Sequence, residues 1–187
     1  MQENNKLQLF FRELAQIVDA RNLSAVVMTD SERLRAMSVI CDEAMTQQLM
    51  LRTSRVPNQQ FMLPDVLTKM MFQMGNDQTN DFEMFIYGIH NGQYKTILTY
   101  IPDDLSLPLR ISDAILLHII SRIPLFIDRE LFLRQSYTYE PVSTGLTIPI
   151  NTIDTDQLNK ELQKAIEAEN YRLASALHEE IKKRGEV

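Results

Sequence analysis

In the stretch Leu107–Leu131, "LPLRISDAILLHIISRIPLFIDREL", Arg110 and Asp113 stand three residues apart at the entrance to an almost wholly apolar segment. Charges placed there are paired, capping or reactive. In one reading Ser112 or Asp113 caps a helix and Arg110 neutralises Asp113. In the other, Asp113 ligates a divalent cation or acts as a base while Arg110 holds a phosphate, the division of labour that phosphodiester hydrolysis needs. A helix N-terminus attracts anions as well, so the two readings are compatible. Glu43 and Asp65 each open an expected helix, where compensation of the helix dipole is explanation enough. Glu130 follows Asp128 and Arg129 in an expected polar turn, where solvation suffices.

Other chemistries find little support. The chain has no glycine-rich phosphate loop, no two histidines at ligand spacing and no serine between flanking glycines, and five glycines in 187 residues argue against a nucleotide cradle. The lone cysteine, Cys41, excludes an internal disulfide and a cysteine-rich zinc site, and it reads as a small buried hydrophobe. His118, among apolar neighbours, reads as a hydrogen-bonded structural histidine. Met70, Met71 and Met74 read as core filler.

The elements that must position these residues follow from periodicity. "LSAVVMTD" and "RLRAMSVIC", split by a polar turn, predict a β-hairpin from Leu23 to Ile40, followed by a helix from Asp42 to about Arg52. Pro64 at a first helical turn and Gly75 as a stop bound a second helix. "DFEMFIYGIHNGQYKTILTYI" alternates on both sides of Asn91-Gly92, the strongest short hairpin signal, since both residues tolerate positive φ. A strand is expected at Leu107–Ile111, then a helix to about Arg122 capped by Ser112 or Asp113, then a strand after Pro124. That helix is apolar all round except for His118, so it must be buried in the core or at a subunit interface. Leu7, Phe10, Phe11, Leu14, Ile17 and Val18 fall at helical spacing, so periodicity alone assigns that segment to a helix.

Residues 135–155, rich in Thr, Ser and Pro, read as a connector with at most one short strand. Beyond it, Leu158, Leu162, Ala165 and Ile166 share one helical face and Tyr171, Ala174, Leu177 and Ile181 another, with "EAEN" between them as the reversal. Two such short helices bury little by themselves, so this antiparallel hairpin is expected to dock on something.

Composition bounds the whole. Hydrophobic residues at 44% and charged residues at 24% are those of an ordinary globular domain, and no apolar run approaches the roughly 20 residues of a membrane-spanning helix. The N-terminus lacks the features of a secretory signal, so a cytoplasmic location is expected. Net charge is −6, with 13 basic and 16 acidic residues before Gln135 and 6 and 9 from there on. An acidic balance argues mildly against a tight non-specific nucleic-acid binder and leaves room for a local basic groove, or a metal held by carboxylates.

"RISDAILLHIISRIPLFIDREL" resembles the signature segment of the bifunctional nuclease domain family, through Arg110, Ser112, Asp113, Ala114, Pro124 and Glu130. "RLRAMSVICDEAMTQQL" resembles that family's strand followed by Glu-Ala, here Glu43 and Ala44, and "PNQQFMLPDVLTKMMFQMG" its lead into a helix, where Asp65 matches. The resemblance covers about residues 6–134. Pro64 stands where the family has a histidine, and "VICD" replaces a glycine-rich approach to Glu43. The tail, residues 156–187, resembles the UVR motif shared by the B and C subunits of the excision nuclease, with His178-Glu179 in place of the usual Arg-Asp. The resemblance implies an α+β fold of repeated strand-strand-helix units around a mixed or antiparallel sheet. It also makes Leu7 to about Leu14 a strand, against the periodicity. We favour the strand, because the hairpin at Leu23 needs a sheet partner.

The resemblance implies a nuclease-like protein acting on RNA or DNA, with Asp113, Asp65, Glu43 and Glu130 gathered at one cleft and Arg110 and Ser112 on the substrate; the cofactor is left open, and a divalent cation such as Mg or Mn, where one is bound, would polarise the phosphoryl group and activate water. The rival expectation is a non-catalytic homo-oligomeric scaffold whose C-terminal hairpin binds a protein partner. The acidic charge and Pro64 favour the rival.

Overall fold

The computed structural model describes residues 5–16, 23–54, 62–75, 79–139 and 155–185. Its centre is a mixed eight-stranded sheet. The strands are β1 (Lys6–Gln16), β2 (Leu23–Thr29), β3 (Arg35–Asp42), β4 (Phe82–His90), β5 (Gln93–Tyr100), β6 (Leu105–Leu109), β7 (Leu125–Asp128) and β8 (Tyr137–Thr138), in the order β6-β5-β4-β7-β1-β2-β3-β8. Helices α1 (Glu43–Thr53), α2 (Leu63–Gly75), α3 (Ile111–Ser121) and α4 (Arg129–Gln135) belong to this body, and α5 (Thr155–Glu167) and α6 (Tyr171–Gly185) form a hairpin. The fold is the α+β class expected from the sequence.

The N-terminal segment is a strand, antiparallel to β2 on one side and to β7 on the other. Its apparent helical spacing has a local cause. Phe11 pairs with Met28 and Glu13 with Val27, so Arg12 is an extra residue in a β-bulge. The bulge resets the alternation, and apolar residues from the two halves of the strand then fall three and four apart. Ile17 and Val18, which completed that pattern, lie outside the described residues.

Both expected hairpins are present. At the tip of the second, Asn91 and Gly92 take φ of 48° and 76°, the left-handed conformations that their sequence anticipates. Strand β7 is the keystone: Leu125, Phe126 and Ile127 pair in parallel with Met84, Phe85 and Ile86 of β4, while Ile127, Phe126 and Leu125 pair with Leu7, Gln8 and Leu9 of β1. Beneath these strands Leu9, Met28, Met37, Met84, Ile86, Ile115, Leu125 and Ile127 are fully buried, each contributing about 1.5–3 kcal/mol by removal from water.

Several boundaries shift. Strand β6 starts two residues earlier than expected and is the exposed edge of the sheet, where Pro108 is tolerated because an edge strand need not offer every N–H. Glu130 is not in a turn. It lies in the first turn of α4, a helix the sequence reading missed because its seven residues are too few for periodicity to register. In α3, Ala114, Ile115 and Leu116 are buried and the following residues half-buried, so the core covers one side of this apolar helix. Strand β8, inside the expected connector, pairs with Arg35 and Ala36 of β3; residues 140–154 of that connector lie outside the described residues.

The α5–α6 hairpin has its own small core of Leu158, Ala165, Ala174 and Leu177. Ile166 and Tyr171, expected on its inner faces, are exposed, because the reversal comes immediately after α5: Glu169 adopts a positive φ and Asn170 accepts a hydrogen bond from the Leu173 N–H.

Candidate active site

Three helix starts in this fold differ in how they are closed. Asp42 caps α1 by accepting from the Met45 N–H at 2.8 Å, and Asp128 caps α4 by accepting from the Leu131 N–H at 2.9 Å. Helix α3 has no such cap. Its N-cap residue is Arg110, in extended conformation and without a side-chain cap hydrogen bond. This corrects the expectation that Ser112 or Asp113 caps it: both lie inside the first turn, two and three residues past the cap position. The first-turn N–H groups of α3 therefore keep their partial positive charge beside a guanidinium.

Asp113 turns toward that guanidinium. Arg110 Nε donates to Oδ2 at 2.6 Å and Nη2 to Oδ1 at 3.1 Å, a fork onto both carboxylate oxygens. The side chains are 73% and 38% exposed, so water screens the pair and it opens at small cost. The hydrogen bond to Asp113 raises the guanidinium's pKa above its ordinary value, the charge of Asp113 adds to this, and Asp42 contributes further. The start of α1 thus lies within electrostatic reach of the start of α3. Cys41, beside Asp42, is buried; that burial, then the charges of Asp42 and Asp113, push its thiol up to about 12. It is the inert thiol expected.

Two cavities flank the pair. One, of about 280 Å³, is lined by Val39, Ile40, Tyr94, Arg110, Ile111 and Ser112, with the Gly92-Gln93 hairpin tip closing it. The other, of about 320 Å³, lies between α2 and α3, is almost wholly apolar, and has Asp113 on its lining with Leu63, Pro64, Leu67 and Leu116. Arg110, Ser112 and Asp113 therefore sit together between two concave surfaces.

The remaining carboxylates are distributed. Asp65, in the first turn of α2, is bound by Arg52 from the last turn of α1, and both side chains are largely buried. Glu43 is exposed in the first turn of α1, next to the capping Asp42. Glu130 is exposed in the first turn of α4. Among the described residues no three His, Cys, Asp or Glu side chains gather in a way that could hold a metal ion. Among the described residues the four carboxylates therefore form no cage for a divalent cation such as Mg or Mn. His118 is structural as expected: its Nδ1 lies 2.7 Å from the Ile123 carbonyl oxygen, closing the turn after α3.

Three residues of this region escaped the sequence reading. Asp42 was visible as the acid before Glu-Ala. Arg52 was visible only as a cation at a helix end. Tyr94 carried the clearest signal, since alternation after Asn91-Gly92 puts it and Thr96 on the inward face of β5.

The sequence model of the bifunctional nuclease domain matches residues 26–140, more than half of the chain. The match begins within β2, ends just past β8 and contains every candidate residue above, while β1 and the α5–α6 hairpin lie outside it. No curated protein matches the chain.

Proposed function

The chain belongs to the bifunctional nuclease domain family, and on that premise we propose that it hydrolyses phosphodiester bonds of RNA or DNA at the N-terminus of α3. The observation that carries this reading is the uncapped start of α3 with an exposed arginine on it. A phosphate oxygen satisfies both the first-turn N–H groups and the Arg110 fork, and Ser112 offers a hydroxyl beside them. Engaging a phosphate draws Arg110 from Asp113 and leaves that carboxylate free to orient a water molecule and accept its proton. Glu43 adds negative charge at the neighbouring helix start. In this reading Asp65 is a positioning residue, holding α2 to α1 through Arg52, and Glu130, exposed in the first turn of α4, has no assigned part in the reaction. The test is cleavage of single-stranded RNA and DNA by the full chain, with and without Mg²⁺ or Mn²⁺, beside Asp113→Ala. Loss of a general base lowers the rate about 100-fold or more; equal residual cleavage by both proteins refutes the reading.

A second reading has its own support. Leu63 and Leu67 of α2 and Leu105 and Leu107 of β6 are each more than half exposed, a sizeable apolar surface for a monomer. It fits a homo-oligomeric interaction protein, in which the α5–α6 hairpin acts as a UVR-type motif docking a protein partner. Sedimentation equilibrium checks it: a monomer at micromolar concentration removes the oligomeric part. A cytoplasmic location belongs to both readings. Among the described residues no helix is long and apolar enough to cross a membrane.

A further inference from the structure

Helix α2 carries two apolar stripes where burial in a single domain uses one. Thr68, Met71 and Phe72 turn inward, Thr68 buried and the other two packed against the core. Leu63, Val66, Leu67 and Met70 form a second stripe, at the i, i+3, i+4, i+7 spacing of a helix face that packs on a neighbour, yet each is at least 37% exposed. This stripe is a ridge, and a trough runs beside it. The cavity between α2 and α3, of about 320 Å³, takes in Leu67, Met71 and Leu109, and a second cavity, of about 290 Å³, takes in Met71, Leu105 and Leu107. Met71 lines both, so the two adjoin along the α2-facing side of β6, with almost wholly apolar walls.

Area, shape and charge select the occupant. The outward stripe and the half-exposed Ile101, Leu105 and Leu107 make seven large apolar residues, together presenting on the order of 600 Å². The largest apolar patch of a monomer is about 300–600 Å², and a stable interface covers about 800 Å² on each partner, polar rim included. A surface of this size is fitted to a protein. Ridge and trough lie side by side, as a twofold contact requires, since the same patch must then meet itself. The rim matches too. Lys69 is exposed two residues from both Leu67 and Met71, hence on the side of α2 away from the trough, and the exposed Asp103-Asp104 turn lies at the trough's end, just before β6. Docking is through side chains, because Pro108 on β6 has no N–H with which to extend the sheet.

We propose that two copies of this chain associate about a twofold axis through this surface, the α2 ridge of each seated in the trough between α2 and β6 of the other, with Lys69 of one copy facing the Asp103-Asp104 turn of the second. The proposal rests on the homo-oligomeric reading and deepens it by naming the interface. Asp113 lies on the wall of the cavity between α2 and α3, so the seated ridge comes to rest beside the carboxylate of the candidate site.

Sedimentation equilibrium of the full chain and its variants at micromolar concentration tests it. Wild type is a dimer. Leu67→Glu on the ridge and Leu107→Glu in the trough each weaken it about 100-fold or more, because a carboxylate is then buried against apolar surface. Both leucines are exposed in the single chain, so the monomeric variants keep the circular dichroism of wild type. Leu34→Glu, at an exposed leucine by the opposite edge of the sheet, remains dimeric. Lys69→Glu weakens the dimer about three- to tenfold, and adding Asp103→Lys and Asp104→Lys restores it. A monomeric wild type overturns the proposal and the oligomeric reading together. An oligomer that survives both Leu67→Glu and Leu107→Glu overturns this interface alone. Should either leucine variant unfold, the charge reversal, made at exposed residues, decides: without restoration the twofold arrangement is wrong.

Discussion

Asp65 separates a positioning role from a catalytic one, through stability. Its partner Arg52 has a side chain only 3% exposed, with Nη1 donating to the Gln48 carbonyl and amide oxygens at 2.8 and 2.9 Å, Nη2 donating to Asp65, and Nε without a partner. Removing the carboxylate by Asp65→Ala leaves a buried guanidinium that has lost its counter-charge and keeps one N–H already unsatisfied. Breaking a buried pair from one side costs about 3–5 kcal/mol. Arg52→Met is milder, because the orphaned carboxylate is 16% exposed and can reach water; we expect about 1–2 kcal/mol. Urea denaturation of both variants and of the double variant Arg52→Met/Asp65→Leu provides the measurement. The expected order is Asp65→Ala least stable, then Arg52→Met, with the double variant recovering much of the loss since no unpaired charge remains. At about 3 °C per kcal/mol for a chain of this size, Asp65→Ala melts roughly 10 °C early. If Asp65→Ala loses less than about 1 kcal/mol while cleavage disappears, the pair is not structural and Asp65 belongs in the reacting centre.

Arg110→Ala, by contrast, changes stability by under about 0.5 kcal/mol, because the pair with Asp113 is screened, while nucleic-acid binding falls and its salt dependence flattens by roughly one phosphate; an unchanged salt slope would place the phosphate elsewhere. Cys41, with its thiol raised to about 12 by burial, resists iodoacetamide at pH 8 in the native state and reacts on unfolding, as mass spectrometry reads. That folded value lies above the ordinary 9.0, so the contribution is whole below pH 9 and is lost as pH rises toward 12; alkaline melting that stays flat over that window contradicts the burial. Burial lowers the His118 pKa below the ordinary 6.5, so its contribution is present above that pH and is lost as pH falls below it; His118→Gln should flatten the acid limb of the stability curve.

Legibility in the sequence followed the range of the forces. The Asn91-Gly92 hairpin and the α1 helix start at Asp42 are decided by neighbouring residues and were plain. β1 was misleading for a local reason, the extra residue Arg12, which only pairing with β2 reveals. α3 was recognisable by composition, yet its cap was misassigned, since choosing Arg110 over Ser112 or Asp113 depends on where β6 releases the chain. Asp113 with Arg110 could be read from their spacing of three. That Asp65 turns to Arg52, and that Glu43 and Glu130 stand on separate helix starts, depends on how α1, α2 and α4 are placed, which no spacing encodes. Tyr94 was legible as inward-facing; that its hydroxyl would find nothing there was not.

The place of β7 has a consequence for how the molecule comes into being. A segment near residue 126 joins one near residue 85 to one near residue 8, so the hydrogen-bonded ladder of the sheet is continuous only through it. Until it arrives, β4 and β1 each present a raw edge with unmet N–H and C=O groups, an invitation to pair with another copy. Assembly must therefore wait for late chain, and its rate should be limited by that distant closure. A chain released only as far as Pro124 would be a sticky intermediate, where one released past Asp128 could close the two halves and would lack only the short edge strand β8.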